Sequence, residues 1–323
     1  MDHCQCRVLV QVSSVREGRG KGRRELMIHA HRFFFSDQPQ LQKVYDSFDF
    51  PSPENGSGNR VEVREIGTYE GFKRRSALVY LSERGCYYLS NTPPEKIGKD
   101  DDWGLEVENV LSLVWESEHR RILYGKGKAF TPKLLQFWIY HTFFPIVLEL
   151  ERSYKMLHVG AVEIGGGPVF FSAPSFGGKS ILTDYFIRQG HTLYADDTLP
   201  VREENGKYIA YPSFPYHRPY RQPETLGHRA ENFARKPAPI KALFELEPAE
   251  PDAPVEITVP KGIGRFKAFL YSSFLKFTFM KKERFNFFTQ MAMQVPVYRV
   301  LVPWDKERLP EVYEAIVKKS REL

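Results

Sequence analysis

Ala173-Pro-Ser-Phe-Gly-Gly-Lys-Ser180 follows a short apolar run, 168–172, and precedes a stretch with helical spacing, 180–189. A strand that turns sharply into a helix through consecutive glycines is a phosphate cradle. The glycines let the main chain curl until its N–H groups point inward, and the helix start adds unbonded N–H groups and a positive dipole end. In such a loop Lys179 reaches the β- and γ-phosphates of a nucleotide, and the Ser180 hydroxyl is placed to ligate Mg²⁺. The pattern usually opens on glycine; here Ala173 takes that place. A methyl group there constrains the backbone angles open to the loop.

Working outward, Gly190-His-Thr-Leu-Tyr-Ala-Asp-Asp197 places two carboxylates at the end of the next predicted strand, 192–195. The intervening helix brings that strand back beside the loop. Asp196 and Asp197 can then divide the labour, one on Mg²⁺ and the other accepting a proton from an attacking hydroxyl. Upstream, Leu157-His-Val-Gly-Ala-Val-Glu-Ile164 carries His158 in an apolar run, where a histidine is ordinarily a hydrogen-bonded core residue. Further strands are predicted at 240–246, 255–259 and 298–302, with an acid- and proline-rich loop at 247–254. A phenylalanine-rich helical face spans 265–280, and Asp305 can cap a last helix ending near Lys319. This order is that of an α/β domain with a nucleotide site.

Residues 1–130 read as a β-rich domain. Apolar or alternating runs fall at 7–12, 25–35 and 61–66, and hairpin signals lie at 76–89, turning at 83–85, and at 111–124. The stretches 16–24, basic and glycine-rich, and 51–59 read as loops. Between the halves, 131–152 takes helical spacing with Pro132 at its start, and Pro145 is expected to kink or end it. It reads as a connecting helix between domain 1–130 and domain 153–323.

With 323 residues, 42% hydrophobic and 27% charged, the chain has enough apolar surface for cores and is not disordered throughout. Three cysteines cannot build a disulfide framework, so a cytoplasmic setting is expected. The polar start reads as mature protein. The apolar run 134–150 is too short, and too interrupted by Gln136, His141 and Pro145, for a membrane span. A net charge of +6 favours anionic partners without selecting one. Nucleic acid is not expected, because the basic stretch 16–24 lacks aromatic interleaving. His3, Cys4 and Cys6 are too tightly spaced, and without a second ligand cluster, for a metal site. His29 and His31 share a face of a strand and read as packing.

Taken together, the segment around His158, the glycine turn 165–167, the loop 173–180 and the Asp196-Asp197 strand resemble, in this order, the catalytic domain of HPr kinase/phosphorylase. Ile257-Thr-Val-Pro-Lys-Gly-Ile-Gly-Arg265 is similar to a further segment of that family, and the resemblance covers roughly 153–323. It implies a P-loop kinase domain of the HPr kinase and phosphoenolpyruvate carboxykinase type, preceded here by a β-rich domain, and ATP-dependent phosphorylation of a serine. Carried across, Ser175, Phe176, Gly177, Gly178, Lys179 and Ser180 hold the phosphates, with Mg²⁺ on Ser180 and Asp197. Asp196 becomes the general base, His158 lies close to the transferred phosphate, and Arg265 contributes to the active face. Phe176, like Ala173, stands where the family has glycine. The first 150 residues do not resemble the family's regulatory domain. The layout looks more like divergent HPr-kinase-like proteins, some of which phosphorylate a peptide. The implied partners are a nucleotide and a protein or peptide acceptor, with a homo-oligomer as in the family.

Two other functions fit the same loop, a small-molecule kinase and a nucleotide-binding scaffold without turnover. Residues 211–239, with six prolines and Tyr216, His217, Arg218, Tyr220, Arg221, Arg229 and Arg235, read either as a lid that recognises the acceptor or as an ordinary proline-stiffened connection.

Overall fold

The structure is a computed structural model that describes residues 31–37, 60–67, 71–74, 76, 78–93, 95–174, 176–220, 223–273 and 280–323. The runs at 7–12 and 25–30, the stretches 16–24 and 51–59, His3, Cys4, Cys6, His29, Ser175, Arg221 and the end of the 265–280 face lie outside the described residues. What is described is a mixed α/β protein with several sheets and few helices.

An eight-stranded sheet takes β1 (Arg32–Phe35), β2 (Arg60–Glu65), β3 (Lys73–Arg74), β4 (Val79–Leu81), β5 (Arg84–Ser90), β6 (Trp103–Val107), β7 (Leu111–Glu116) and β8 (Arg121–Lys126). In β2 the alternation is realised directly: Val61 and Val63 are buried, while Arg60 and Arg64 face water. The β4–β5 turn sits one residue earlier than its sequence suggests. Ser82 and Glu83 take positive φ (48° and 71°), whereas Gly85 pairs with Tyr80 inside the ladder. A Cβ on Gly85 would strike the Glu108 side chain, so this glycine serves close packing and not the turn.

The helical segment begins where Thr131 accepts the Leu134 N–H at 3.2 Å, with Pro132 in the first turn of α1 (Pro132–Phe137). Pro145 does not break it. A π-helical turn, Trp138–Phe143, precedes α2 (Phe144–Leu150), and the Phe144 N–H bonds Ile139 O, five residues back. A proline ring crowds the carbonyl four residues earlier, that of His141, and the wider turn makes room for it. The segment packs onto the sheet instead of bridging open space. Phe143 stacks on Trp103 at 5.0 Å, and Phe144 meets Phe33 edge-on at 4.7 Å. His31 is buried edge-on against Phe144, as packing requires. The same core continues into Met156, Leu193, Phe214 and Phe233 of the second half.

There β9 (Lys155–Leu157), β10 (Gly160–Ile164), β11 (Gly167–Ser172), β12 (Leu193–Ala195), β13 (Leu199–Glu204) and β14 (Lys207–Ala210) are followed by the two-residue strands β15 (Tyr216–His217), β16 (His228–Arg229) and β17 (Ala238–Pro239). Then come β18 (Ala242–Ala249), β19 (Ile257–Thr258) and β20 (Val297–Pro303). A six-stranded sheet runs β12-β10-β11-β18-β20-β19, with β11, β18 and β20 parallel and β10 and β19 opposed to them. β18 extends through Ala249, taking in part of the stretch read as a loop. A smaller antiparallel sheet, β17-β14-β13-β9, lies beside it.

Helices cover both faces of the six-stranded sheet. α3 (Lys179–Arg188) and α6 (Leu309–Arg321) pack on Phe171, Phe244 and Val300, while α4 (Gly264–Tyr271) and α5 (Lys281–Gln294) pack on Phe170, Leu243 and Val297. Coverage on both sides explains why Val169-Phe170-Phe171 is a continuous apolar run and not an alternating one. Asp305 caps a 3₁₀ turn, Lys306–Arg308, that leads into α6, accepting the Glu307 N–H at 2.9 Å. Among the described residues no helix is long and apolar enough to cross a membrane.

α3 packs closely on β10 at Gly160, where a Cβ would run into the Thr183 hydroxyl. We expect Gly160→Ala to lower stability by about 1–3 kcal/mol through overpacking. Adding Thr183→Ala should recover part of that loss, as read by denaturant melts of the single and double variants.

Candidate phosphate-loop site

β11 ends at Ser172 and β12 at Ala195, so the loop and the acid pair leave the same edge of the sheet, the carboxyl ends of mutually parallel strands. In the loop the Gly177 N–H bonds Pro174 O at 2.9 Å. Gly178, at φ 83°, takes the left-handed conformation that starts α3, and among the described residues no side chain caps that helix. Ala173 is accommodated because its neighbour is small: a Cβ on Gly177 would sit 2.9 Å from the Ala173 methyl. Phe176 has φ 65° and an 80% exposed side chain. It holds a left-handed backbone that glycine would adopt without penalty, so the loop keeps its curl at a conformational cost.

The two acids face different neighbours. Asp196 is 4% exposed, and its Oδ2 accepts the Arg218 backbone N–H at 2.6 Å. Its buried Oδ1 completes no hydrogen bond. Burial pushes this carboxyl's pKa up; the Arg218 N–H, the Lys179 and Arg218 charges and the nearby Ser180 hydroxyl oppose that shift. Asp196 is thus the acid beside the lysine and serine of the loop. Lys179 is itself buried, its Nζ 3.5 Å from the His158 carbonyl oxygen.

Asp197 turns toward cationic and imidazole groups. The Arg218 guanidinium donates to Oδ2, and His141 Nε2 lies 3.0 Å from the same oxygen. His158 Nδ1 stands 3.4 Å from Oδ1, and the His158 ring is 46% exposed, not a core side chain. Arg265 sits in the first turn of α4 with its Nε buried and unbonded. Among the described residues no hydrogen bond or ion pair joins it to the loop, the acids or His158. The structure therefore brings Lys179, His158, Asp196 and Asp197 together, with Ser180 beside Asp196 and Gly177 and Gly178 in the adjoining loop, while Phe176 points into solvent and Arg265 makes no bond to the group among the described residues.

Two members of the cluster were not read from the sequence as part of it. His141 lies on the π turn, stacked on Phe137 at 4.6 Å; its only sequence signal is a polar residue in an apolar run, four residues before a proline. Arg218 belongs to the segment read as lid or connection, and it binds both acids at once, one through its backbone and one through its side chain. The segment is anchored elsewhere too. Phe214 and Phe233 are buried in the first core, and His217 Nδ1 lies 3.3 Å from Asp184 of α3.

No family model matches this chain, and no curated protein matches it. Among solved structures, an HPr(Ser) kinase/phosphatase from Coxiella burnetii aligns at 17% identity and a TM-score of 0.32, over 52% of this chain and 91% of that one.

The backbone angles make an independent check on the loop. Phe176→Gly is expected to leave stability unchanged or raise it by up to about 1 kcal/mol, by relieving a left-handed non-glycine residue. Gly178→Ala should lower it by about 1 kcal/mol, since the added Cβ would meet its nearest neighbour, the Trp304 ring, at an ordinary contact distance of 3.6 Å and the backbone angle is what resists. Thermal melts of the two variants read both signs.

Proposed function

We propose that this protein is a Mg²⁺·ATP-dependent kinase that transfers the γ-phosphoryl group to a serine hydroxyl of a protein or peptide. Residues 153–323 form its catalytic unit, and its setting is cytoplasmic. One observation carries the reading. A buried carboxylate oxygen, Asp196 Oδ1, has no hydrogen-bond partner and lies in the company of Lys179 and Ser180, at the mouth of a glycine loop opening a helix. A carboxylate and a hydroxyl are the hard oxygen donors that suit Mg²⁺, which keeps few protein ligands and takes the rest from phosphate and water. Asp196 and Ser180 would hold the ion, which supplies charge neutralisation on the transferring group.

This exchanges the roles that the resemblance implies for the two acids. Asp196 is deeply buried beside the loop; Asp197 is less buried and adjoins the half-exposed His158. Asp197, with His158 beside it, takes the acceptor's proton. The serine oxygen bonds to the γ-phosphorus, the bond from that phosphorus to the β-bridging oxygen breaks, and ADP leaves with the electron pair. Lys179 and the N–H groups of Gly178 and Lys179 bind and orient the phosphates. Arg218 fixes both carboxylates by hydrogen bonds to each. The ordered sequence motifs support serine as the acceptor.

One observation favours a second reading. Arg218 and His141 already engage Asp197 Oδ2, as suits a scaffold that binds nucleotide without turnover. Transfer from labelled ATP to peptide and metabolite fractions separates the two. Lys179→Met should abolish ATP binding. Asp197→Asn should retain binding and lose transfer by about 10²–10⁴-fold. Wild-type affinity for ATP in Lys179→Met would sink the phosphate-loop assignment, and full transfer in Asp197→Asn would remove that acid from the chemistry.

A further inference from the structure

A nucleotide presents a base as well as phosphates, and the N–H groups, lysine and serine of residues 177–180 serve only the phosphates. Of the four tryptophans, Trp103, Trp115 and Trp138 are buried, whereas Trp304 is 55% exposed. It follows directly on β20, at the sheet edge from which the loop also leaves, since β20 runs parallel to β18 and β18 to β11. Its indole reaches the loop itself: a Cβ on Gly178 would sit 3.6 Å from the Trp304 six-membered ring.

The main chain beneath it is fixed. The Trp304 N–H bonds Ala249 O at 3.0 Å, and the next residue, Asp305, caps the turn that starts toward α6. Lys306, two residues on, lies 5.5 Å over the ring of the exposed Tyr220. Tyr220 is itself two residues from the acid-binding Arg218. A large apolar face held in water beside a phosphate loop calls for a flat partner.

We propose that Trp304 is the stacking platform for the nucleobase. The inference rests on the nucleotide reading above and adds to it the element that holds the base. An indole offers a π face and a single N–H donor, so the platform accepts purines with little discrimination, and ATP and GTP are expected to bind with similar affinity.

Calorimetry on the full chain with ATP, GTP and inorganic tripolyphosphate tests this, because tripolyphosphate has no base. Trp304→Ala should weaken ATP about tenfold and leave tripolyphosphate unchanged, and Trp304→Phe should keep most of the ATP affinity. Wild-type tryptophan fluorescence should be quenched by ATP but not by tripolyphosphate, and that quench should vanish in Trp304→Phe, a readout that does not depend on the alanine variant folding. Equal losses for both ligands, or no loss for either, would overturn the platform while leaving the phosphate loop standing. Failure of the wild-type chain to bind either ligand would overturn both.

Discussion

A carboxylate withdrawn from water must be met by positive charge or hydrogen bonds, and in this protein the demand falls on Asp196. Left alone, a buried ion of this kind costs several kcal/mol. Two parts of the chain answer it. Lys179 and the Ser180 hydroxyl come from the first turn of α3, and the Arg218 backbone N–H and guanidinium charge from the segment after β15. The loop, the acid strand and Arg218 are thereby tied to one another. A single buried oxygen, Oδ1, is left without a hydrogen-bond partner.

The second constraint comes from the other half of the chain. Pro145 sits in a helix whose every residue from Phe144 to Leu150 is buried, so the helix cannot break without opening the core. It widens instead, and the widened turn carries His141 to Asp197. The helical segment between the halves therefore reaches the acid pair, through a backbone irregularity that a proline in a packed helix requires. Phe137 serves both sides, stacking on His141 and lying 5.8 Å beneath the Arg218 guanidinium.

Much of this was legible in the chain itself. Gly177-Gly178-Lys179-Ser180 between an apolar run and a helical one marked the loop, and the Asp196-Asp197 pair marked the returning strand; both rest on local patterns that need no distant partner. The alternation in β2 and the continuous run in β11 likewise reported whether one face or two would be covered. The turn at Ser82 and Glu83 was displaced by a residue, because Gly85 was needed for contact with Glu108 and not for its backbone freedom.

The order of motifs along one chain thus determined where a glycine curl would form and which acids would return beside it, since curl, helix start and strand end are set by neighbours a few residues apart. Tertiary structure alone decided which acid faces Ser180 and which faces His158, and that Arg218 and His141, 21 and 56 residues from Asp197, would join them. It also placed Trp304 against Gly178. Charge pairing and ring contact act through space over a few ångströms, and no periodicity in a sequence records which distant side chains will share it.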